Sequence, residues 1–234
     1  KGRHPLLDRS AAVPVTLSVG ETYRFLLISG ANTGGKTVTL KMCGLFCLMA
    51  CCGLFIPAAE GSEVAVFRQV FSDIGDAQSI EENLSTFSSH IRNVIDITEQ
   101  ADGKSLVLID ELGGGTDPEE GQAIAKAVLS HLLKKGCRGI VTTHYTSLKE
   151  YAYAADGIEN ASMEFDMTTL RPLYRVRLGV PGSSNAIAIS RRLGLSEEIL
   201  QDALSNLSEG AQHFENIVRT AEQSRIEAEE AKKQ

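Results

Sequence analysis

The chain has 234 residues, of which 43% are hydrophobic, and a formal net charge of −7. This size allows one sizeable core, and the acidic balance argues against direct binding of a nucleic-acid backbone, because domains that do so carry basic surfaces. The five cysteines, an odd number without a CxxC pair, argue against a disulfide framework and favour a reducing compartment, so we expect a cytoplasmic protein. Because the chain starts with Lys1 and ends in a charged run at Gln234, we expect it to be part of a longer protein.

The first third of the chain has the pattern of strand, loop and helix. Strands are predicted at residues 15–19 and 24–29, and a helix from 35 to about 52. Cysteines recur on one face of this helix, which fits either a thiolate metal site or a buried apolar stripe; the lack of a fourth ligand favours the stripe. These cysteines are Cys43, Cys47 and Cys51. The apolar stretch at 42–59 is interrupted by glycines and a proline, so a buried helix is favoured over a membrane span, and we expect no membrane partner.

The rest of the chain alternates strands with helices, which is typical of an α/β fold with a mainly parallel sheet flanked by helices. Two short helices predicted after residue 182 would form a small helical C-terminal appendage. From Glu209, an apolar stripe at helical spacing predicts the start of a long amphipathic or coiled-coil helix at 209–234. A solvated terminal helix is the alternative for this segment. The further strands are predicted at 64–71, 106–110, 139–143, 161–165 and 173–178, and the helices at 90–100, 119–135, 184–193 and 196–207.

A phosphate-binding loop is predicted at residues 30–37, which fit the pattern GxxxxGK[ST] between a predicted strand and a helix. Glycines let backbone N–H groups turn towards phosphate oxygens, and the helix adds its unpaired amides and the positive end of its dipole. Lys36 would reach the β- and γ-phosphates of ATP, and Thr37 would bind Mg²⁺. The predicted nucleotide-binding residues are Gly30, Ala31, Asn32, Thr33, Gly34, Gly35, Lys36, Thr37 and Val38.

Two adjacent carboxylates follow the aliphatic run at 106–109, as expected at the end of a buried central strand. Side chains alternate along a strand, so the two would have different roles: Asp110 would bind Mg²⁺, and Glu111 would polarise the attacking water. His144 ends another predicted strand and could sense or position the γ-phosphate, so we interpret it as catalytic with Lys36 and Glu111. The other histidines are interpreted as structural or surface residues: His4, His90, His131 and His213.

The order of these motifs is similar to that of the ABC-like ATPases. Residues 110–111, 112–118 and 142–144 resemble their Walker B, D-loop and H-loop segments, and residues 34–37, 85–87, 110–113 and 143–145 resemble the MutS family in particular. The resemblance implies a P-loop NTPase of the ABC type, with a MutS-type ATPase domain at 1–208. It also implies that Ser85 and Thr86 reach the nucleotide of a partner subunit, and that Gln78 contacts magnesium or water; helix capping is the alternative for Ser85.

Residues 32–33, 36–41, 73–81 and 179–186 look like the MutS-two branch of this family, whereas Thr33, Asn83 and Leu84 depart from the mismatch-repair branch. The resemblance implies a bacterial or plastid protein whose coiled coil and Smr nuclease domain, a possible endonuclease, lie outside this chain. It further implies a homodimeric ATP switch that suppresses recombination between branched DNAs or handles stalled ribosomes, the DNA or rRNA being bound elsewhere in the protein. A mismatch-repair ATPase is the alternative. An ABC transporter subunit is disfavoured because no Leu-Ser-Gly-Gly-Gln signature is present, and a non-catalytic scaffold because both carboxylates are.

Overall fold

The structure is a computed structural model that describes residues 1–75, 86–166, 169–182, 185–207, 216–218 and 220. Its strands form one six-stranded sheet in the order β2-β3-β4-β1-β5-β6. The pairs from β2 to β5 are parallel, and β6 runs antiparallel to β5. The strands are β1 (Phe25–Ser29), β2 (Gln69–Asp73), β3 (Ser105–Ile109), β4 (Arg138–Thr142), β5 (Ile158–Asp166) and β6 (Arg171–Leu178). The helices are α1 (Lys36–Cys51), α2 (Thr86–Gln100), α3 (Pro118–Lys134), α4 (Thr146–Ala154), α5 (Ala186–Arg192) and α6 (Glu197–Ser205).

Helices cover both faces of the sheet, so its central strands are buried on both sides. All five residues of β1 and of β3 are buried. Because side chains alternate along a strand, Phe25 and Leu27 pack into one hydrophobic cluster with residues of α2, α3 and α4, whereas Leu26 and Ile28 pack into a second cluster with residues of α1. This explains why the sequences of β1 and β3 are continuous apolar runs rather than alternating ones.

The strand order places the functional loops side by side. Strand β4 lies between β1 and β3 and is parallel to both. The carboxyl ends of these three strands therefore meet at one edge of the sheet. The loops that leave this edge are residues 30–35 after β1, 110–117 after β3 and 143–145 after β4.

Several predicted elements differ from the structure at the sheet edges. Residues 15–19 do not form a strand: Val15 makes only an isolated bridge with Gly2, because both edges of β1 are occupied by β4 and β5. The strand predicted at 64–71 is shifted to β2, since the pairing with β3 begins where Gln69 lies opposite Ser105. Helix α2 begins four residues before the predicted start, and α4 was not predicted.

The cysteine stripe of α1 is buried only in part. Cys47 is buried and Cys43 half-buried, but Cys51 is exposed, so the buried-stripe interpretation is wrong at that position. Burial raises the pKa of Cys43 to about 12 and that of Cys47 to about 11, which keeps both thiols protonated at neutral pH. In the described ranges, no cluster of three or more His, Cys, Asp and Glu residues could hold a metal ion.

The C-terminal part of the chain is helical where it is described. Helices α5 and α6 lie where the two short C-terminal helices were predicted. The tail predicted at 209–234 lies outside the described residues except for 216–218 and 220, which are helical. None of the helices in the described part of the chain combines the length and the apolar composition that a membrane crossing needs.

Candidate nucleotide-binding site

The loop between β1 and α1 has a backbone that requires glycine at two positions. Gly30 and Gly35 have φ values of 123° and 93°, in the left-handed region that side chains disfavour. Gly35 directly precedes α1, which has 16 residues and no side-chain hydrogen bond at its N-cap. The first turn of α1 therefore presents backbone N–H groups and the positive end of the helix dipole to the loop.

Lys36 and Thr37 extend from the first turn of α1 towards the neighbouring strand ends. Lys36 is only 2% exposed, and its ammonium group donates a hydrogen bond to the carbonyl oxygen of Gly30 at 2.6 Å. Burial lowers the pKa of Lys36, and the charges of Glu111 and Asp110 oppose that shift. The hydroxyl of Thr37 donates to Asp110 Oδ2 at 2.6 Å. The structure thus brings together Thr37 and Asp110, the two residues predicted to bind magnesium.

Thr142, the last residue of β4, organises both carboxylate-bearing residues after β3. Its hydroxyl donates to Asp110 Oδ1 in a short hydrogen bond and accepts one from the backbone N–H of Glu111 at 2.8 Å. Thr142 is completely buried. Thr142 could not be recognised from the sequence pattern, because its contacts depend on β4 lying between β1 and β3.

Glu111 differs from Asp110 in both exposure and backbone conformation. Its side chain is exposed, and its φ of 49° lies in the left-handed region, which is unusual for a residue other than glycine. Asp110, by contrast, is held through both carboxylate oxygens. The two adjacent carboxylates therefore have different surroundings, although both follow the end of β3 at Ile109, so strand alternation alone does not account for the difference.

His144 is exposed at the end of β4, and its ring lies 4.2 Å from that of Tyr145 between centroids. Tyr145 connects this loop to the turn after β3, because its hydroxyl donates to the carbonyl oxygen of Gly113 at 3.1 Å. Burial, reinforced by the charges of Glu111 and Asp117, raises the pKa of Tyr145. The phenol therefore stays protonated and keeps its donor at neutral pH.

A buried lysine that sequence reasoning missed is connected to the start of the phosphate loop by two hydrogen bonds. Lys149 of α4 is 2% exposed and donates to the carbonyl oxygen of Gly182 at 2.8 Å. The N–H of Gly182 in turn donates to the hydroxyl of Ser29, the last residue of β1, at 2.7 Å. A Cβ atom on Gly182 would lie 3.0 Å from the backbone nitrogen of Gly30. We call this group of Ser29, Lys149 and Gly182 the clasp; its only sequence signal was the glycine-containing segment at 179–182.

An aromatic residue, also missed, lies beside the loop. A Cβ atom on Gly35 would be 3.2 Å from Cδ1 of Tyr174. Tyr174 is 46% exposed and has a φ of 55°, a second left-handed backbone among non-glycine residues at this site. Its ring thus lies next to the phosphate loop, and the residue is partly exposed.

Two predicted site residues, Gln78 and Ser85, lie outside the described residues. Thr86 is the first residue of α2. The start of this helix lies next to the loop after β3, since a Cβ atom on Gly115 would be 3.5 Å from the backbone nitrogen of Phe87. The segment predicted to reach a partner subunit therefore adjoins a helix that contacts the carboxylate-bearing loop.

Comparison with known proteins places the chain in a family. The family model described as MutS domain V matches residues 26–210. "Endonuclease MutS2" of Geobacillus kaustophilus (strain HTA426) is 56% identical over 230 residues, and proteins of the same name from Geobacillus sp. (strain WCH70) and Clostridium botulinum (strain Kyoto / Type A2) are each 54% identical over 230 residues. Each alignment covers 98% of this chain but only 29% of the relative's length. The chain therefore belongs to the MutS family, and it corresponds to domain V of that family.

Proposed function

We propose that this chain is a P-loop ATPase domain of the ABC type that binds ATP with Mg²⁺ and hydrolyses it to ADP and phosphate. The observation that carries the proposal is the hydrogen bond between Thr37 and Asp110, which joins the start of α1 to the end of β3. It connects the phosphate-loop sequence, which is a local pattern, to a carboxylate 73 positions away. A chance match to the loop pattern would not have this long-range partner.

The donor set of Thr37 and Asp110 fits Mg²⁺, which prefers hydroxyl and carboxylate oxygens. When bound, the ion neutralises charge on the transferring phosphoryl group. Around it, the N–H groups of residues 30–38 and the Lys36 ammonium would bind the phosphates. The partly exposed Tyr174 next to Gly35 supports a nucleotide over a simple polyphosphate, because an aromatic ring can stack on a base.

The chemistry that these residues support is an in-line attack of water on the γ-phosphorus. The exposed Glu111 carboxylate would accept a proton as the water oxygen bonds to phosphorus and the bond to the β–γ bridging oxygen breaks. His144, on the neighbouring strand end, would donate a hydrogen bond to a γ-phosphate oxygen. Two adjacent carboxylates can thus divide metal binding and water activation between them.

For the parent protein, we propose a homodimeric ATP switch in nucleic-acid quality control, in which Ser85 and Thr86 reach the partner's nucleotide and Gln78 contacts magnesium or water. Its target would be branched DNA, as in suppression of recombination, or a stalled ribosome. The name of the relatives supports endonuclease activity in a part of the protein outside this chain. That same name gives less support to the alternative, a mismatch-repair ATPase. The cytoplasmic location stays a prediction.

The binding half of this proposal is tested by Lys36→Ala, with Lys41→Ala as the matched control. Lys41 is an exposed lysine of the same helix, so its loss changes the charge equally without touching the loop. We expect Lys36→Ala to weaken ATP binding by at least about 100-fold, because charge-assisted hydrogen bonds to phosphate contribute roughly 1.5–3 kcal/mol each. Calorimetry measures the affinity, and wild-type affinity in Lys36→Ala would contradict the assignment.

The hydrolytic half is tested by Glu111→Gln. This variant should keep Mg²⁺-dependent ATP binding and slow turnover by at least about 100-fold, the size typical of losing a positioned base. Phosphate release measures turnover, and nucleotide affinity is measured on the same sample. If Glu111→Gln instead abolished binding while Asp110→Asn remained active, the two carboxylates would have been assigned to the wrong roles.

A further inference from the structure

We propose that His90, together with Asn93, is a positioning residue for the two carboxylates after β3, acting through the side chain and the backbone of Asp73. The inference rests on the ATPase function proposed above. It assigns a role to a histidine that the sequence analysis interpreted as structural or surface, and it explains how α2 is coupled to the hydrolytic loop.

Asp73 is the last residue of β2 and is 4% exposed. Both of its carboxylate oxygens are used by α2. His90 Nδ1 lies 2.8 Å from Oδ2, and the side-chain amide of Asn93 donates to Oδ1 at 2.8 Å. His90 and Asn93 are three residues apart and so share one face of α2. The helix is therefore fixed to the end of β2 by two polar side chains on one buried carboxylate.

The backbone of the same aspartate holds the hydrolytic loop. The carbonyl oxygen of Asp73 accepts a hydrogen bond from the N–H of Asp110 at 2.8 Å. This bond continues the parallel pairing of β2 with β3 by one residue beyond Ile109. Asp73 thus bonds to α2 through its side chain and to the proposed magnesium ligand through its main chain, with no intervening residue.

Helix α2 and the same loop also border one cavity. Asp73, His90 and Glu111 line one cavity, together with Phe87, Gly113 and Gly114. The His90 side chain is 24% exposed, so its ring is held at Nδ1 while part of it borders this cavity. A rotation of α2 that moved His90 would therefore change both the Asp73 bridge and the wall of the cavity beside Glu111.

Through Asp73, a movement of α2 would change the position of the two carboxylates after β3. Substitution of a group that orients a metal ligand from outside the ligand set typically lowers metal affinity or activity by about 10- to 100-fold. Here the orienting group lies on the helix that follows Ser85, the residue proposed to reach the partner's nucleotide. Contact made at the start of α2 would be passed to Asp110 and Glu111 within one subunit.

The test compares His90→Ala and His90→Asn with the wild-type chain. Asparagine places its side-chain nitrogen at the topological position of Nδ1 and can still donate to Asp73, whereas alanine cannot. His131→Ala is the matched control, because His131 is an exposed histidine in the last turn of α3. Four quantities are measured on each variant: thermal unfolding, the kcat for ATP, the KM for ATP, and hydrogen exchange of the amides at residues 110–112.

We expect His90→Ala to lower kcat by roughly 10- to 100-fold, the usual effect of losing an outer-shell partner, with KM within about twofold because the phosphate loop is untouched. Hydrogen exchange of the Asp110 amide should become faster. His90→Asn should restore most of the wild-type kcat and most of the wild-type exchange protection. The proposal is overturned if folded His90→Ala keeps the wild-type kcat and exchange at residues 110–112, or if kcat falls without faster exchange at Asp110. If the wild-type chain hydrolysed no ATP, the proposed function would fail, but the exchange measurement would still decide whether His90 holds the loop.

Discussion

Thr142 shows how one hydroxyl can set the geometry of two functional residues. It donates to the Asp110 carboxylate and accepts from the Glu111 backbone N–H, and it is completely buried. The two residues after β3 are therefore oriented by the strand next to them. A hydroxyl can serve both because it is a donor and an acceptor at once.

We predict that Thr142→Val lowers the free energy of unfolding by about 1–3 kcal/mol and also slows ATP turnover. Valine has nearly the same shape, so the substitution isolates the effect of the hydroxyl, whose removal leaves the N–H of Glu111 and a carboxylate oxygen of Asp110 without this partner. Urea denaturation and phosphate release measure the two effects. Thr142→Ser keeps the hydroxyl and serves as the control; equal stability of the valine and serine variants would contradict this role.

At the scale of elements, the clasp ties three parts of the fold to the phosphate loop. Ser29 ends β1, Lys149 belongs to α4, and Gly182 follows β6. Since α4 itself follows His144, the phosphate loop, the histidine loop and the segment leading to α5 are all connected here. The chain segment after the last strand thereby becomes part of the support of the nucleotide site.

We expect Gly182→Ala to weaken nucleotide binding and to speed hydrogen exchange at residues 179–182. The new Cβ would lie 3.0 Å from the Gly30 nitrogen and 3.1 Å from the Ser29 carbonyl carbon, both backbone atoms, so the segment must move away from the loop. Gly103→Ala is a suitable control, because a Cβ there meets its nearest neighbour at 3.7 Å, an ordinary contact. If Gly182→Ala kept the wild-type nucleotide affinity and the wild-type hydrogen exchange at residues 179–182, the segment would not support the loop.

The sequence predicted those elements whose signal is local. Strands β1, β3 and β4 lie within one residue of their predicted bounds, because strands buried on both faces are continuous apolar runs. Helix α4 was missed; it is only nine residues long and has no side-chain N-cap hydrogen bond to mark its start. Asp73 and Lys149 could not be recognised as site residues, since their partners are distant in sequence and are brought near by the strand order.

At the scale of the whole molecule, the proposed homodimer makes each nucleotide site a composite of two chains. We predict that mixing Ser85→Ala chains with Lys36→Ala chains partly restores the activity that each variant lacks alone. In the mixed dimer one site carries both lesions, and the other keeps Lys36 from one chain and Ser85 from its partner. The Ser85 hydroxyl would contribute a charge-assisted hydrogen bond of roughly 1.5–3 kcal/mol to the closed state.

Phosphate release from the mixture, compared with each variant alone at the same total concentration, measures the restoration. The expectation assumes two sites that work independently. If Ser85 only caps α2 within its own chain, Ser85→Ala would lower the melting temperature, leave turnover per folded chain unchanged and show no restoration on mixing.

The left-handed backbone at Glu111 means that folding and the proposed catalysis would favour different residues at one position. A non-glycine residue in this region costs roughly 1–2 kcal/mol, which exceeds the roughly 0.4–1 kcal/mol that glycine costs through the entropy of the unfolded chain. We therefore predict that Glu111→Gly unfolds at a higher urea concentration than Glu111→Ala, although both variants lack the carboxylate and neither should turn over ATP at the wild-type rate. An alanine variant as stable as the glycine variant would show that the backbone is unstrained. With the expected order, stability alone would favour glycine at position 111, although glycine would remove the carboxylate that we propose activates water.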